Sequence, residues 1–229
     1  MRLILQRSLL ATAILTGALA HSAYAQGNAV YVTTYVEVGA KAEAPGAALL
    51  EKYQNVSRKQ DGNLRFDALQ EFGRPNRFAI VAAWQDRAAL DAHAKAASTV
   101  QFHDKLKSIE IAPLDERITN ALDAARGKSA IAPHAIYVVT HVDVVPAGKD
   151  ECMAALKAMA IDSANEAGNI SYEAFQQTNR GNHFTVVEAW SSKAARDAHA
   201  SAALTREFRE KLTPIAGALY DERLYKALD

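Results

Sequence analysis

The chain writes one motif twice. The stretch "AWQDRAALDAHAKAA", from Ala83 to Ala97, returns as "AWSSKAARDAHASAA", from Ala189 to Ala203, so that Trp84 and Trp190 stand 106 residues apart. The same offset relates His93 to His199, Phe102 to Phe208 and Arg117 to Arg223. It runs without a gap from Tyr31/Tyr137 to Leu122/Leu228, with about two positions in five identical. A period of that length is too long for the roughly 20–50-residue unit of a solenoid and is the size of a small domain. The reading is two copies of one fold, residues 28–122 and 135–229. Between them "DAARGKSAIAPH", residues 123–134, is small and polar with a Gly and a Pro, as a linker is.

Each copy carries the same order of elements. "VYVTTYVEV" and "IYVVTHVDV" are rich in β-branched and aromatic residues and predict a first strand, with Val32, Thr34, Val36 and Val38 on one face. A helical segment follows, marked in the second copy by Met153, Leu156 and Met159. Two strands then meet across "GRPN" and "NRGN", both turn sequences. Asp86 and Ser192 can cap a second helical region, and "LDERI" and "YDERL" end each copy with a strand. This is β-α-β-β-α-β, an α+β ferredoxin-like order. It puts both helices on one face of the sheet and leaves the other bare. Tyr31, Thr33 and Tyr35 are expected on that bare face, together with Phe78, Ile80 and Trp84. Apolar side chains of this size stay out of water, at roughly 1.5–3 kcal/mol each. The two copies are therefore expected to pack sheet to sheet as a dimer fused into one chain, with room for a ligand between the sheets.

The N-terminus reads as an export signal. Arg2 and Arg7 flank the start, "LLATAILTGALA" is an apolar run too short to span a bilayer, and "AYA" places cleavage after Ala25. The expected mature protein is periplasmic or secreted and not membrane-bound. Without those two arginines, 24 basic residues face 26 acidic ones, which offers nucleic acid no electrostatic footing. Cys152 is the only cysteine, so no internal disulfide supports the fold.

The stretch "FTVVEAWSSKAARDAHASAALTREF", a strand ending in Trp, a helix start, then "AH" before small residues and a Phe, resembles the antibiotic biosynthesis monooxygenase family of dimeric α+β barrel proteins. "GNISYEAFQ" is similar to that family's glycine-led entry into a strand bearing an aromatic residue and Glu. The resemblance implies a fused dimeric α+β barrel. The superfamily holds quinol and polyketide monooxygenases, haem degraders and members without known reaction. The second copy matches the pattern at Tyr172, Glu188, Trp190 and His199. The first keeps Trp84 and His93 but has Phe66 and Ala82 where the Tyr and Glu fall.

His199 and His93 point the way their helix's apolar face points. A histidine there can deprotonate a phenol or quinol so that oxygen takes an electron from the substrate itself, with no cofactor. The same position also suits a half-buried His bonded to backbone. Glu188 shares a face with Trp190 and is expected to orient His199 or bind a substrate hydroxyl, unless it pairs with Arg180 or Arg223. The candidate catalytic groups are thus His199, Glu188 and His93. Trp190, Tyr172, His141, Trp84 and Tyr35 are the candidate substrate-binding groups, with His141 placed on the same face as Glu188. No His-x-x-x-His or Cys-His spacing predicts a metal site, and no phosphate loop or Gly-x-Ser-x-Gly elbow is present. Two functions follow. One is an exported, cofactor-independent monooxygenase-like enzyme for a small aromatic such as a quinol. The other is a non-catalytic periplasmic binding protein for a hydrophobic aromatic or haem. Assembly beyond the internal pseudo-dimer is left open.

Overall fold

The computed structural model describes residues 28–122 and 134–228. The expected signal segment, and the linker apart from His134, lie outside the described residues. The first repeat runs β1 (Val30–Glu37), α1 (Glu43–Ser57), β2 (Asn63–Glu71), β3 (Arg77–Trp84), α2 (Arg87–Lys95), α3 (Ala97–Leu106) and β4 (Asp115–Ala121). The second runs β5 (Ile136–Asp143), α4 (Lys149–Ser163), β6 (Asn169–Gln177), β7 (His183–Trp190), α5 (Lys193–Ser201), α6 (Ala203–Leu212) and β8 (Asp221–Ala227). The order is the expected one, with the second helical region divided in two. Asp86 Oδ1 and Ser192 Oγ accept the Ala89 and Ala195 amides at 2.8 and 3.1 Å and start α2 and α5. The division falls at Ala96 and Ala202, whose extended ψ of 141° and 151° interrupts the helical ladder.

All eight strands join in one closed barrel, in the order β1-β3-β2-β8-β5-β7-β6-β4. The last strand of each repeat lies between its own first strand and a strand of the other repeat. β8 pairs with β2 through Leu69–Ala227, Gln70–Lys226 and Glu71–Tyr225, and β4 pairs with β6 through Thr119–Gln177, Asn120–Gln176 and Ala121–Phe175. Closure removes the edges that would otherwise offer free backbone groups. It also carries Leu228 into the helix-covered core of the first repeat and Leu122 into that of the second. Gln54 ties the seam, donating to the Leu228 carbonyl at 3.1 Å and accepting from the Ala68 amide at 2.7 Å.

Strand alternation then makes three cores. Val32, Val36, Phe66, Phe78, Ile80 and Trp84 pack under α1, α2 and α3, and Val142, Tyr172, Phe184, Val186 and Phe208 fill the matching layer of the second repeat. The barrel interior holds Leu69, Val81, Tyr137, Val139, Phe175, Val187 and Tyr225, with Tyr31 and Tyr35 beside them. Tyr31 and Tyr35 therefore face the barrel as expected, but Phe78, Ile80 and Trp84 do not. In the β1–β3 register Val36 lies opposite Phe78 and Val30 opposite Trp84, and directly opposed residues share a face. These aromatics follow the valines toward the helices. A buried ion pair crosses the interior: Arg65 reaches Glu173 of the other repeat at 2.6 Å and Asp67 at 2.5 Å. Among the described residues no helix is long and apolar enough to cross a membrane.

Candidate active site

The two histidines that sequence singles out sit alike in backbone and unlike in surroundings. Each is buried on its helix over a strand-ending indole, with ring centroids 4.4 Å apart for Trp84–His93 and 4.6 Å for Trp190–His199. Each looks back at the loop after the first helix of its repeat. That loop turns at Gly62 and Gly168, whose φ of 75° and 81° lies in the left-handed region that glycine tolerates. A Cβ at either position would meet Ala89 or Ala195 Cβ at 2.5 Å, so the loop can lie this close only without one.

In the first repeat His93 is saturated. Nδ1 donates to Gln60 Oε1 at 2.6 Å, which leaves Nε2 to accept from the Tyr53 hydroxyl at 2.9 Å. This suits the neutral ring, and burial pushes its pKa down to about 4. The cavity beneath, lined by Phe66, Trp84, His93 and Phe102, has a volume of about 30 Å³. That is space for little more than a water or two.

The second repeat replaces every partner. Glu166 stands where Gln60 does and meets His199 Nδ1 at 2.5 Å, while Met159 stands where Tyr53 does and leaves Nε2 free of a hydroxyl. Nε2 faces Glu188 Oε2 at 3.7 Å, and that oxygen accepts from Trp190 Nε1 at 2.7 Å. Burial raises Glu188 to about 7, against the pull of its bond to Trp190. Burial also lowers His199, against the pull of Glu166, and holds the Tyr172 hydroxyl well above its usual range, with Glu188 adding to the effect. The Tyr172 and His199 rings meet edge to face at 5.9 Å. Around this group Arg196, Arg209 and Tyr220 occupy the positions of Leu90, His103 and Leu114. Glu222 joins Arg196 to Arg209, the latter at 2.7 Å. Arg209 lies over the Tyr220 ring at 5.1 Å, and the two line a groove of about 240 Å³ with Val142, Leu212 and Leu219.

A family model for antibiotic biosynthesis monooxygenase matches residues 29–105 and again 135–211. The chain belongs to the antibiotic biosynthesis monooxygenase family. It is similar to "Putative monooxygenase YcnE" of Bacillus subtilis, 36% identical over 59 residues, which is 26% of this chain and 62% of that relative. The match thus spans less than two thirds of the curated relative's length. Among solved structures it resembles a "putative monooxygenase" of Fusobacterium nucleatum, with TM-score 0.79, 18% identity, and 88% and 93% of the two chains covered. A "putative monooxygenase" of Lactobacillus acidophilus superposes with TM-score 0.71 at 13% identity, covering 88% and 95%. At these identities the likeness is one of fold, and it extends over most of each chain.

Within this family member the structure regroups the sequence candidates. His199, Glu188, Trp190 and Tyr172 come together as expected, but beneath the helices of the second repeat and not between the sheets. Trp84 and His93 form the corresponding pair in the first repeat. His141 and Tyr35 belong to neither, because they face the barrel interior. Arg117 and Arg223 flank the Tyr35 ring at 4.9 and 5.2 Å, and His141 lies 2.7 Å from Asp143. Glu188 has no ion pair with Arg180 or Arg223 among the described residues; Arg223 is held by Asp221 at 2.5 Å. Sequence reasoning missed Glu166, Arg196, Arg209 and Tyr220. The signal was available, since all four differ in polarity or charge type from their partners at the 106-residue offset. Linear spacing also hid a cluster of metal-type donors, His141, Asp143 and His183, drawn from the paired strands β5 and β7.

Proposed function

We propose that the chain is an exported monooxygenase that oxidises a small phenol or quinol with O2, in the pocket of its second repeat and without an organic cofactor. The observation that carries this reading is the Glu166–His199–Glu188–Trp190 arrangement, buried except at Glu166, which the first repeat lacks. A carboxyl group near pKa 7 is poised to take a proton at neutral pH. Glu188 removes the phenolic proton, and His199, oriented by Glu166, passes it outward. The resulting phenolate gives one electron to O2, and the aryloxyl radical and superoxide combine at a ring carbon. Loss of water from that peroxide yields the quinone, so one phenol and one O2 become one quinone and one water. Tyr172, kept protonated by burial, supplies a hydrogen bond to the developing peroxide, and Trp190 supports the ring. The groove beside Tyr220 and Arg209 provides an apolar wall and a cationic rim for a planar anion.

Oxygen consumption with a panel of hydroquinones and phenols tests this. The wild type is expected to exceed autoxidation, and Glu188→Gln to lower kcat/KM about 100-fold or more, the scale of a lost general base. A panel that consumes no oxygen above its own autoxidation, while ligands still quench Trp fluorescence, replaces the enzyme by a binding protein for aromatic ligands.

A further inference from the structure

A second donor cluster lies on the opposite face of the sheet from this pocket. His141 Nε2 and His183 Nδ1 stand 2.7 and 2.6 Å from one oxygen, Asp143 Oδ1. Proximity at that range ordinarily means hydrogen bonds, yet Asp143 Oδ1 is buried with no hydrogen-bond partner, and so is His141 Nδ1. The two rings approach the carboxylate without aiming an N–H at it. A ring nitrogen's lone pair lies where its N–H would lie, so the donors converge beside one another and do not satisfy each other. A shared cation resolves this where a proton does not.

The two repeats supply the control. At the corresponding positions the first repeat has Tyr35, Glu37 and Arg77, and there Arg77 simply pairs with Glu37 at 3.1 Å. Both non-acidic positions of the second repeat have become imidazoles while the acid is kept. We propose that His141, Asp143 and His183 bind a divalent transition-metal ion of the zinc class. Two imidazole nitrogens and one carboxylate select such an ion over Mg²⁺ or Ca²⁺, which prefer oxygen alone. Bonds of about 2.1 Å at a tetrahedral centre put donors about 3.4 Å apart, so the side chains open by about 0.8 Å to admit it. Their exposures of 14, 19 and 19% leave the site reachable from solvent and one position open to water. Arg117 also faces this end of the barrel, and its charge is met by Asp115 at 2.6 Å.

The site is independent of the pocket chemistry, and its test does not use activity. Tag-free, chelator-stripped protein is titrated with Zn²⁺ by calorimetry and with Co²⁺ by visible absorption, with Mg²⁺ as the control. One equivalent of Zn²⁺ or Co²⁺ per chain is expected, with a zinc-dependent rise in Tm. His141→Tyr and His183→Arg install the residues of the first repeat. Each is expected to weaken binding about 100-fold or more, the upper end of what loss of a supporting shell alone costs. Far-UV circular dichroism of the metal-free variants checks folding, and His183→Gln serves where a swap does not fold. No saturable binding to the wild type, or wild-type affinity retained in any folded variant, overturns the proposal.

Discussion

Among the described residues Arg65 is the only cation shown between the sheets at the Glu173 end of the barrel, and removing it tests whether the two repeats share one interior. Its side chain is 9% exposed, Glu173 5% and Asp67 7%. Asp67 keeps a second partner, Arg58, at 3.1 Å, whereas Glu173 is shown with no other cation. Pseudo-symmetry offers no substitute, because Ser171 stands where a second arginine would. Arg65→Met therefore strands one carboxylate in the barrel, and breaking a buried pair in this way costs about 3–5 kcal/mol. For a chain of this size each kcal/mol shifts Tm by about 2–4 °C, so the variant should melt about 6–20 °C lower by calorimetry or circular dichroism. Replacing both partners with apolar side chains, Arg65→Met with Glu173→Met, should recover most of the loss, since a well-packed apolar pair commonly matches a buried ion pair. A loss below about 1 kcal/mol in the single variant, on the scale of a solvent-exposed pair, would refute the closed, shared interior. So would a double variant no better than the single.

Other outcomes follow from the same geometry. Activity should rise with pH through about 7 as Glu188 ionises, and a pH–rate profile of Glu188→Gln should lose that limb. Stability runs the other way: Glu188 is raised above its unfolded value, so its contribution is full in acid and is lost as pH rises through about 7. Thermal melts at pH 8 should accordingly show Glu188→Gln more stable than the wild type. Left-handed backbone alone should make Gly73→Ala cost about 1–2 kcal/mol by urea unfolding. Gly73, at φ 77°, has nothing within 4 Å of an added Cβ, whereas Gly168, at φ 81°, would press one against Ala195 at 2.5 Å, so Gly168→Ala should cost clearly more. The two repeats expressed separately should be insoluble or self-associate, since each half exposes a barrel face and unpaired strands. Two soluble monomeric halves in sedimentation would argue for independent beads.

Much of the architecture was legible because the repeat is gapless and its strands alternate cleanly. Tyr31, Thr33 and Tyr35 were placed on the right face of β1 from period two alone. What alternation cannot supply is the parity of one strand relative to another. An apolar face of Phe78, Ile80 and Trp84 suggests a partner sheet, whereas the register opposite Val36 and Val30 sends these residues to the helices. The same missing register puts His141 on the face of Glu188, although Val138 lies opposite Glu188 and His141, three residues on, points to the other face. It also hid the approach of His141 to His183. For the pocket, His199, Glu188, Trp190 and Tyr172 stood out as titratable or aromatic residues in a matched motif. Glu166, in a loop, and Arg196, in place of Leu90, carry no motif in the sequence that marks them out from surface charges. Only the 2.5 Å contact with His199 Nδ1 shows Glu166 to be the acid behind that ring.

The central claim is that the fold needs two copies and the chemistry one, and paired histidine variants test it most directly. His199→Ala should lower kcat/KM for quinol-dependent oxygen consumption about 100-fold or more. His93→Ala should lower it less than about tenfold, because His93 is saturated by Tyr53 and Gln60 and is shown in no ion pair among the described residues. Equal losses in two variants with unchanged circular dichroism would contradict the account and show two equivalent sites.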